Sequence, residues 1–581
     1  MIDLNESKKS TQVVDNAVIN PPHSVNASGF SSFWAGMRPW LDIFKSNAII
    51  ATIFISCVLL IFFNELGFGT NVLEPSEGFY AEGAREMLES GNYLTPHMNY
   101  EVWLEKPPLI YWMIATSYKM FGVNPFAARF PESLCSVLLV SAVFLITRRF
   151  VNKRAAFCSA SILAASPLFA VVGRLSVTDV PLTAFTGLAL LGLFATMQTK
   201  RVSIALCSYL FLSLAVLSKG PLALVLTGAV LVSYLAIVSP SLSKFWQNIL
   251  KLRPLLGLAI LCVVAVPWFV IDNIATNGEL VNEFFIKQNL GRFRGTVDHQ
   301  HAFWFYIPFV LGGFAPWLLI GALPGALLTK AFQQVKRFRR AQANLTTRQQ
   351  LMIFGATWAL VIYLLLSIVQ TKLATYIVPM FAGLAITFGI ACDTFLKKPW
   401  QTKFINWTGP VLCVVSIVAI IVLQFFLHLP MRIALTMTPY IAVLAAMSGV
   451  YWYLLWSGRS RAALVQLFIF TTFGVVALVP QGCKVTYLMR QEPLQVLLEK
   501  CEGSNANVAS VGGKCMPTAA FYLKKRVPVV RDKEQMQAFL KTPQSPHYLL
   551  VSKKILYTLN WTDRPTRNLG RGGNWYLFAV D

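Results

Sequence analysis

The sequence predicts an all-α polytopic membrane protein with a small α/β domain at its C-terminal end. Three observations predict it. The 581-residue chain is 55% hydrophobic and 13% charged, about half the roughly 25% charge of a soluble chain, and its mean hydropathy is +0.57. Apolar runs of about 20 residues recur along it, each long enough to cross a hydrocarbon core of about 30 Å as a helix, which satisfies its own backbone hydrogen bonds in lipid. Beyond Gly482 the pattern changes to short β-like runs, at 507–511, 526–530, 547–551 and 575–580, alternating with helix-like stretches at 494–500 and 533–539.

Residues 1–45 are polar, and Lys8, Lys9, Arg38 and Lys45 precede the first apolar run. They read as a cytoplasmic tail without a cleavable signal peptide. Residues 46–481 are expected to form the transmembrane domain, with about thirteen spans that start near Ile49, Pro131, Ala156, Val177, Ile204, Leu222, Leu255, Trp304, Met352, Ile377, Phe404, Ile433 and Leu464. The aromatic segment 107–121 is short and reads as an interfacial helix. With the N-terminus inside, the inner loops collect Arg148, Arg149, Lys153 and Arg154, then Lys200 and Arg201, Lys244, Lys251 and Arg253, Lys330 to Arg348, Lys397 to Lys403, and Arg459 with Arg461. Basic inner loops are what sets membrane orientation, so the net charge of +24 calls for no nucleic-acid partner. An odd number of spans places residues 482–581 outside. There a Cys501–Cys515 disulfide is plausible, whereas the cysteines of the apolar runs read as small core residues.

Two outer loops are long, 64–107 and 272–302, and loops of that length are usually functional. The first is acidic, with Glu74, Glu77 and Glu105 among its carboxylates. Apolar residues on one face of 77–88 suggest a helix lying flat on the membrane. At membrane level on the same side stand Asp179 (in Arg174-Leu-Ser-Val-Thr-Asp-Val-Pro), Lys219 (in Ser218-Lys-Gly-Pro), Lys372 and Tyr376 (in Gln370-Thr-Lys-Leu-Ala-Thr-Tyr), and, in the second loop, Arg292, His299 and His301. Ionisable residues at this depth are costly and suggest a site. Lys106, Lys219, Arg292 and Lys372 run against the positive-inside trend, which a lipid phosphate at the outer face explains; snorkelling of long side chains is the plain alternative. A carboxylate beside that phosphate can act as general base or hold a metal, against helix capping for Ser76 and Glu77.

Eight pieces occur in order between residues 73 and 379: Tyr80-Ala-Glu-Gly-Ala-Arg-Glu-Met-Leu, Glu105-Lys-Pro, Asp179-Val-Pro, Ser218-Lys-Gly, Phe284-Phe285 with Arg292-Phe293, Phe303-Trp-Phe-Tyr-Ile-Pro, Ala315-Pro-Trp and Lys372-Leu-Ala-Thr-Tyr-Ile. This set resembles the GT-C glycosyltransferase superfamily, in the bacterial branch related to protein O-mannosyltransferases, and within it the lipid A aminoarabinose transferase (ArnT) family. The resemblance implies about thirteen spans and an outer C-terminal domain. It implies a polyprenyl-phosphate-linked sugar as donor, Lys106 and Arg292 on its phosphate, and Asp179, Lys219 and Tyr376 lining the cavity. Glu105 would support the site, through a divalent metal if one is used, with His299 and His301 as further candidate ligands. The pattern departs from the family at two points. Ser76 replaces the Asp of the family's Asp-Glu pair and leaves Glu77, with Glu74 as a substitute. Asn289 stands where the aminoarabinose enzymes carry a His.

The expected activity is transfer of aminoarabinose or a related sugar to a periplasmic acceptor, lipid A, at the bacterial inner membrane. Glu74, Glu77 and Asp179 are the candidate catalytic carboxylates, and Lys106, Arg292, Lys219, Lys372 and Tyr376 the phosphate-binding set. The alternatives are a protein O-glycosyltransferase, which needs a base for a Ser or Thr hydroxyl, and a lipid-linked sugar transporter or flippase, which calls for inverted repeats and broken helices at the midplane.

Overall fold

The computed structural model describes residues 47–67, 76–291, 300–321, 325, 327–330, 332–333, 345–397, 407–414, 418, 431–501, 506–511, 516–543, 546–553, 556 and 566–580. The chain forms two compact units, Met1–Ser56 and Cys57–Asp581. Of the first, the described part is the start of helix Asn47–Phe63; the expected tail 1–45 lies outside the described residues. Everything below concerns the second unit.

Among the described residues, eight helices are long and apolar enough to cross a membrane: Pro125–Phe150, Asp179–Thr199, Val202–Lys219, Pro254–Ala275, Thr347–Ile368, Ala374–Lys397, Met437–Trp456 and Ser460–Leu488. Shorter apolar helices occur at Ala51–Phe63, Leu222–Val238 and Phe303–Gly313. The span expected from Ala156 is instead two pieces, Lys153–Ala164 and Pro167–Val172. The break has a local cause: Pro167 has no N–H to donate and restricts Ser166, whose φ/ψ of −73/118 is extended. Most of the span expected from Phe404 lies outside the described residues. Helix Leu109–Phe121 is 13 residues long and largely buried.

The helix expected to lie flat on the membrane is Ser76–Ser90, and it does not lie at a free surface. Glu77, Gly78, Ala81, Glu82, Gly83, Ala84, Arg85, Glu86 and Met87 are all buried. One face packs on helix Leu109–Phe121, and another on helix Pro517–Leu523 of the C-terminal region. Ala81, Ala84, Met87, Ile110, Tyr111, Ile114 and Phe521 share one core. The apolar residues that suggested membrane contact are therefore spent on protein. The charged face is buried too, because Arg85 grips both oxygens of Glu82 at 2.7 Å and reaches Glu89 at 2.6 Å.

Strands β1 His97–Met98 and β2 Glu101–Val102 pair antiparallel in the first loop, and the C-terminal region carries a five-stranded sheet of order β4-β3-β5-β7-β6, with β3 Asn507–Val511, β4 Val529–Val530, β5 His547–Ser552, β6 Thr566–Gly572 and β7 Trp575–Val580. β3 runs parallel to β4 and β5, and β7 antiparallel to β5 and β6. Alternation along the strands sends Val508, Leu550 and Leu577 to helices Glu492–Glu499 and Pro517–Leu523, and Ala509, Val511, Leu549 and Val551 to helix Lys533–Leu540. The sheet is thus covered on both faces. β6 escapes the sequence pattern because it is a polar edge strand, Thr-Arg-Asn-Leu-Gly-Arg-Gly, whose neighbour is β7 alone. Residue 482 falls inside helix Ser460–Arg490, so the last membrane helix runs on toward the sheet without a break. Cys501 is a buried thiol against the Leu497 carbonyl at 3.6 Å; the expected bridge involves Cys515, which lies outside the described residues.

Candidate active site

Four chain breaks in helical pattern bring the polar residues together. Helix Val202–Lys219 ends at Gly220, whose φ of 79° favours glycine. A Cβ there would also come within 2.4 Å of the Phe284 ring. This stop leaves Lys219 as the last helical residue. Asp179 is the first residue of helix Asp179–Thr199, where the backbone dipole favours a carboxylate. Glu105 and Lys106 precede Pro107-Pro108, which opens helix Leu109–Phe121. Tyr376 lies in the 3₁₀ turn Ala374–Met380 ahead of helix Phe381–Lys397.

These residues line one cavity of about 430 Å³, together with Ser76, Phe79, Tyr80, Leu175, Thr178 and Thr375. Asp179 is paired with Lys219, both at most 10% exposed in their side chains, and accepts the Thr375 hydroxyl at 2.8 Å. The Lys219 ammonium also stands 3.9 Å from the centroid of the Tyr376 ring, a cation–π contact. Lys106 is 9% exposed in its side chain, 3.9 Å from the Glu105 carboxylate, and donates to the Glu105 carbonyl at 2.9 Å. Burial raises the Tyr80 phenol above its ordinary value, with the Thr178 hydroxyl pulling the other way and Asp179 adding to the rise. A second pocket shares Glu105, Lys106, Lys219, Thr371 and Tyr376 with the first and continues over Leu222, Phe284, Leu366 and Val369. Gln288 and Asn289 also face it.

The structure sorts the expected residues. Lys106, Lys219, Asp179, Tyr376 and Glu105 meet in the cavity. Glu77 does not line it: it is buried, holds Arg129 through both oxygens at 3.0 and 2.7 Å, and accepts the Ser176 amide at 2.8 Å. Its carboxylate fastens the first loop to the strand of chain that leads into Asp179. Lys372 is buried and donates to the His301 carbonyl at 2.8 Å. Burial lowers its ammonium below the ordinary value. It thereby ties the second loop to the 371–376 segment, alongside the Gln300–Thr371 bridge, rather than lining the cavity. The His301 ring stacks on Phe305 at 4.2 Å. Glu74, Arg292 and His299 lie outside the described residues. Among the described residues no three His, Cys, Asp or Glu side chains come together to hold a metal ion. Glu105 and His301 thus form no such set with a third ligand among the described residues. Thr375 and Tyr80 are the site residues that sequence reasoning passed over as mere parts of motifs. Their signal was position, one residue before Tyr376 and one turn after Ser76.

Residues 105–270 match the family described as dolichyl-phosphate-mannose-protein mannosyltransferase. An uncharacterized protein of Aquifex aeolicus is 31% identical over 363 residues, 62% of this chain and 68% of that one. The undecaprenyl phosphate-alpha-4-amino-4-deoxy-L-arabinose arabinosyl transferase 2 of Proteus mirabilis is 28% identical over 395 residues, 66% of this chain and 67% of that one; its namesake of Pseudomonas fluorescens is 30% identical, with 56% of each chain covered. The crystal structure of ArnT from Cupriavidus metallidurans bound to undecaprenyl phosphate superimposes with a TM-score of 0.73 at 21% identity, covering 92% of this chain and 98% of that one. The apo form of the same protein gives 0.75. The protein is a multi-pass membrane protein of the GT-C fold. The chain belongs to the ArnT-like family of GT-C glycosyltransferases.

Proposed function

We propose that this glycosyltransferase moves a sugar, aminoarabinose or a close relative, from a polyprenyl-phosphate donor to lipid A at the periplasmic face of a bacterial inner membrane. One observation carries the reading: two lysines with side chains at most 10% exposed, Lys106 and Lys219, meet carboxylates in a cavity that continues into an apolar pocket. A lipid phosphate needs such a pairing of cation and apolar wall. Leu222, Phe284, Leu366 and Val369 offer the wall to the polyprenyl chain. Lys106 faces the phosphate, with Arg292 as the expected second cation. The names of the relatives from Proteus and Pseudomonas support this donor and this sugar. The distribution of Lys and Arg supports an inside N-terminus and an outside sheet domain.

The chemistry is a single displacement. An acceptor oxygen forms a bond to the anomeric carbon. The bond from that carbon to the donor phosphate oxygen breaks, and polyprenyl phosphate leaves with the electron pair. Lys106 stabilises the charge gathering on the leaving phosphate, which is electrostatic catalysis. Asp179, held by Lys219 and Thr375, shapes the sugar's side of the cavity.

The state of the carboxylates favours a phosphate as acceptor. Asp179 is paired with Lys219 and Glu77 with Arg129, so both carboxylates are committed to a cation. A phosphate monoester, with a second pKa near 6, is already ionised at neutral pH and needs no base. Protein O-glycosylation is the second reading, favoured by the description of the family that matches residues 105–270. It requires a base from Glu74 or Glu105. The test offers lipid A and an unfolded peptide side by side to purified enzyme with radiolabelled polyprenyl-phosphate sugar. Label on lipid A is expected, and label on the peptide alone would replace this reading with the second.

A further inference from the structure

Between helices Leu222–Val238 and Pro254–Ala275 the chain forms a separate ten-residue helix, Leu242–Lys251. The Ser241 hydroxyl caps it by accepting the Lys244 amide. Its apolar residues stand at 242, 245, 246, 249 and 250, and its polar ones at 243, 244, 247, 248 and 251. That is the i, i+3, i+4, i+7, i+8 spacing of a helix with one apolar face. In helix Ser76–Ser90 such a face is covered by protein. In Leu242–Lys251 none of the ten residues is buried, and Leu242, Trp246 and Leu250 are 72%, 56% and 68% exposed. The segment is nevertheless fixed. Asn248 donates to the Ser239 hydroxyl at 3.2 Å, and the Tyr209 hydroxyl donates to the Leu252 carbonyl at 2.8 Å.

The neighbouring helices set its depth. Leu222 lines the pocket beside Lys219 and opens a helix of 17 residues that ends at Val238, about 25 Å away, close to one hydrocarbon thickness. Helix Leu242–Lys251 follows at once, so it lies at the membrane boundary opposite the cavity. Helix Val202–Lys219 has its last residue at the cavity, which puts Lys200 and Arg201 at that far boundary too. The charge there has one sign, because no Asp or Glu occurs between Asp179 and Asp272. Lys200, Arg201, Lys244, Lys251 and Arg253 are all exposed. Lys244 and Lys251 donate to the neutral amides of Gln247 and Asn248, and none of the five forms an ion pair among the described residues. An uncovered apolar stripe beside uncompensated cations fits a surface that offers acyl chains and phosphates together. We infer that helix Leu242–Lys251 docks in the leaflet opposite the cavity and selects anionic phospholipid there, with Leu242, Trp246 and Leu250 in the acyl boundary and the basic residues on headgroup phosphates. A tryptophan in that stripe suits headgroup depth. The inference goes beyond the transfer reaction and does not depend on it.

The full chain carrying Trp246→benzoylphenylalanine is reconstituted in nanodiscs of mixed phosphatidylcholine and phosphatidylglycerol and irradiated, and the lipids attached at position 246 are identified by mass spectrometry. A basic residue near an anionic surface strengthens binding by about fivefold. Phosphatidylglycerol is therefore expected in the adducts at about five times its share of the disc or more. Lys244→Gln with Lys251→Gln is expected to lower that preference while lipid adducts persist, and high salt to lower it as well. The thermal midpoint is expected to stay unchanged, because neither lysine is buried. Adducts in the proportion of the mixture would reduce the helix to a plain apolar contact and overturn the inference. A preference that neither the substitutions nor salt moves would overturn it too, as would the absence of lipid adducts. With polyprenyl phosphate added to the disc, a preference for it over phosphatidylglycerol would make the helix a second donor-lipid site and overturn the inference in favour of that one. Sugar transfer enters none of these outcomes, so failure of the proposed reaction leaves them intact.

Discussion

Lys219 is held by a carboxylate, Asp179, and by the face of Tyr376 at 3.9 Å, so its charge is kept while its position is fixed. Removing one member of such a buried pair leaves the other charged and unpaired, at a cost of about 3–5 kcal/mol. Asp179→Asn is therefore expected to lower the thermal midpoint sharply, and Asp179→Asn with Lys219→Met to recover much of it, in a melt followed by intrinsic fluorescence. Equal midpoints for the single and double variants would show that the pair is not coupled. Lys106 differs, because its carboxylate neighbour is 3.9 Å away and 35% exposed. Its side chain lines the cavity and the adjoining pocket. Lys106→Ala is expected to reduce transfer by about 10²–10³, the loss typical of one transition-state donor, at unchanged midpoint; near-normal transfer to lipid A would end its assignment to the phosphate. Both residues were legible in the sequence because ionisable groups at an outer membrane boundary are rare enough to be conspicuous. Lys372 was conspicuous for the same reason, yet it serves the backbone at His301. Sequence records that a charge is present at membrane level, not which way a long flexible side chain turns.

At the scale of elements, helix Ser76–Ser90 shows what periodicity conceals. It carries cavity residues Ser76, Phe79 and Tyr80 on one side and meets the C-terminal sheet domain on another. Asn99, just beyond it, exchanges two hydrogen bonds with Val527 at 2.9 and 2.7 Å. Amphipathicity read from sequence could not distinguish lipid from a protein domain encoded some 430 residues later, which is why the face expected on the membrane is found against protein. The buried carboxylates of this helix make its packing sensitive to pH. Burial pushes the Glu86 carboxyl up to about 8; the Tyr100 and Asn99 amides pull it down, and neighbouring Glu82 adds to the rise. A raised carboxyl pKa means that the folded state binds the proton more tightly than the unfolded chain. Stability is then full below the ordinary carboxylate range and falls as pH rises toward about 8. Glu86→Gln cannot ionise, so its midpoint relative to the natural protein is expected to improve steadily from pH 5 to pH 8. A constant difference across that range would remove Glu86 from the account of pH dependence.

At the scale of the whole molecule, hydropathy and charge were enough to give the helical membrane class, most of the long helices and the mixed domain at the end. What they missed follows from contacts between distant segments. The break at Ser166–Pro167, the edge strand β6 and the sandwiching of the first loop each depend on a partner that local sequence does not name. The same distinction decides the reaction. The cavity gathers its two lysines, Lys106 and Lys219, from separate stretches, while the carboxylates at 77 and 179 are each committed to a cation. A molecule built this way supplies positive charge and positioning rather than a proton acceptor, so the acceptor must bring its own nucleophilic charge. With lipid A, kcat/KM is therefore expected to rise through about pH 6, where a phosphate monoester takes its second negative charge, and to level off above it. Glu77→Gln variants that still fold are expected to keep the same profile. A rate governed by a group titrating near pH 4, or a profile that shifts when Glu105 is replaced by Gln, would instead identify a carboxylate base and return the enzyme to a hydroxyl acceptor.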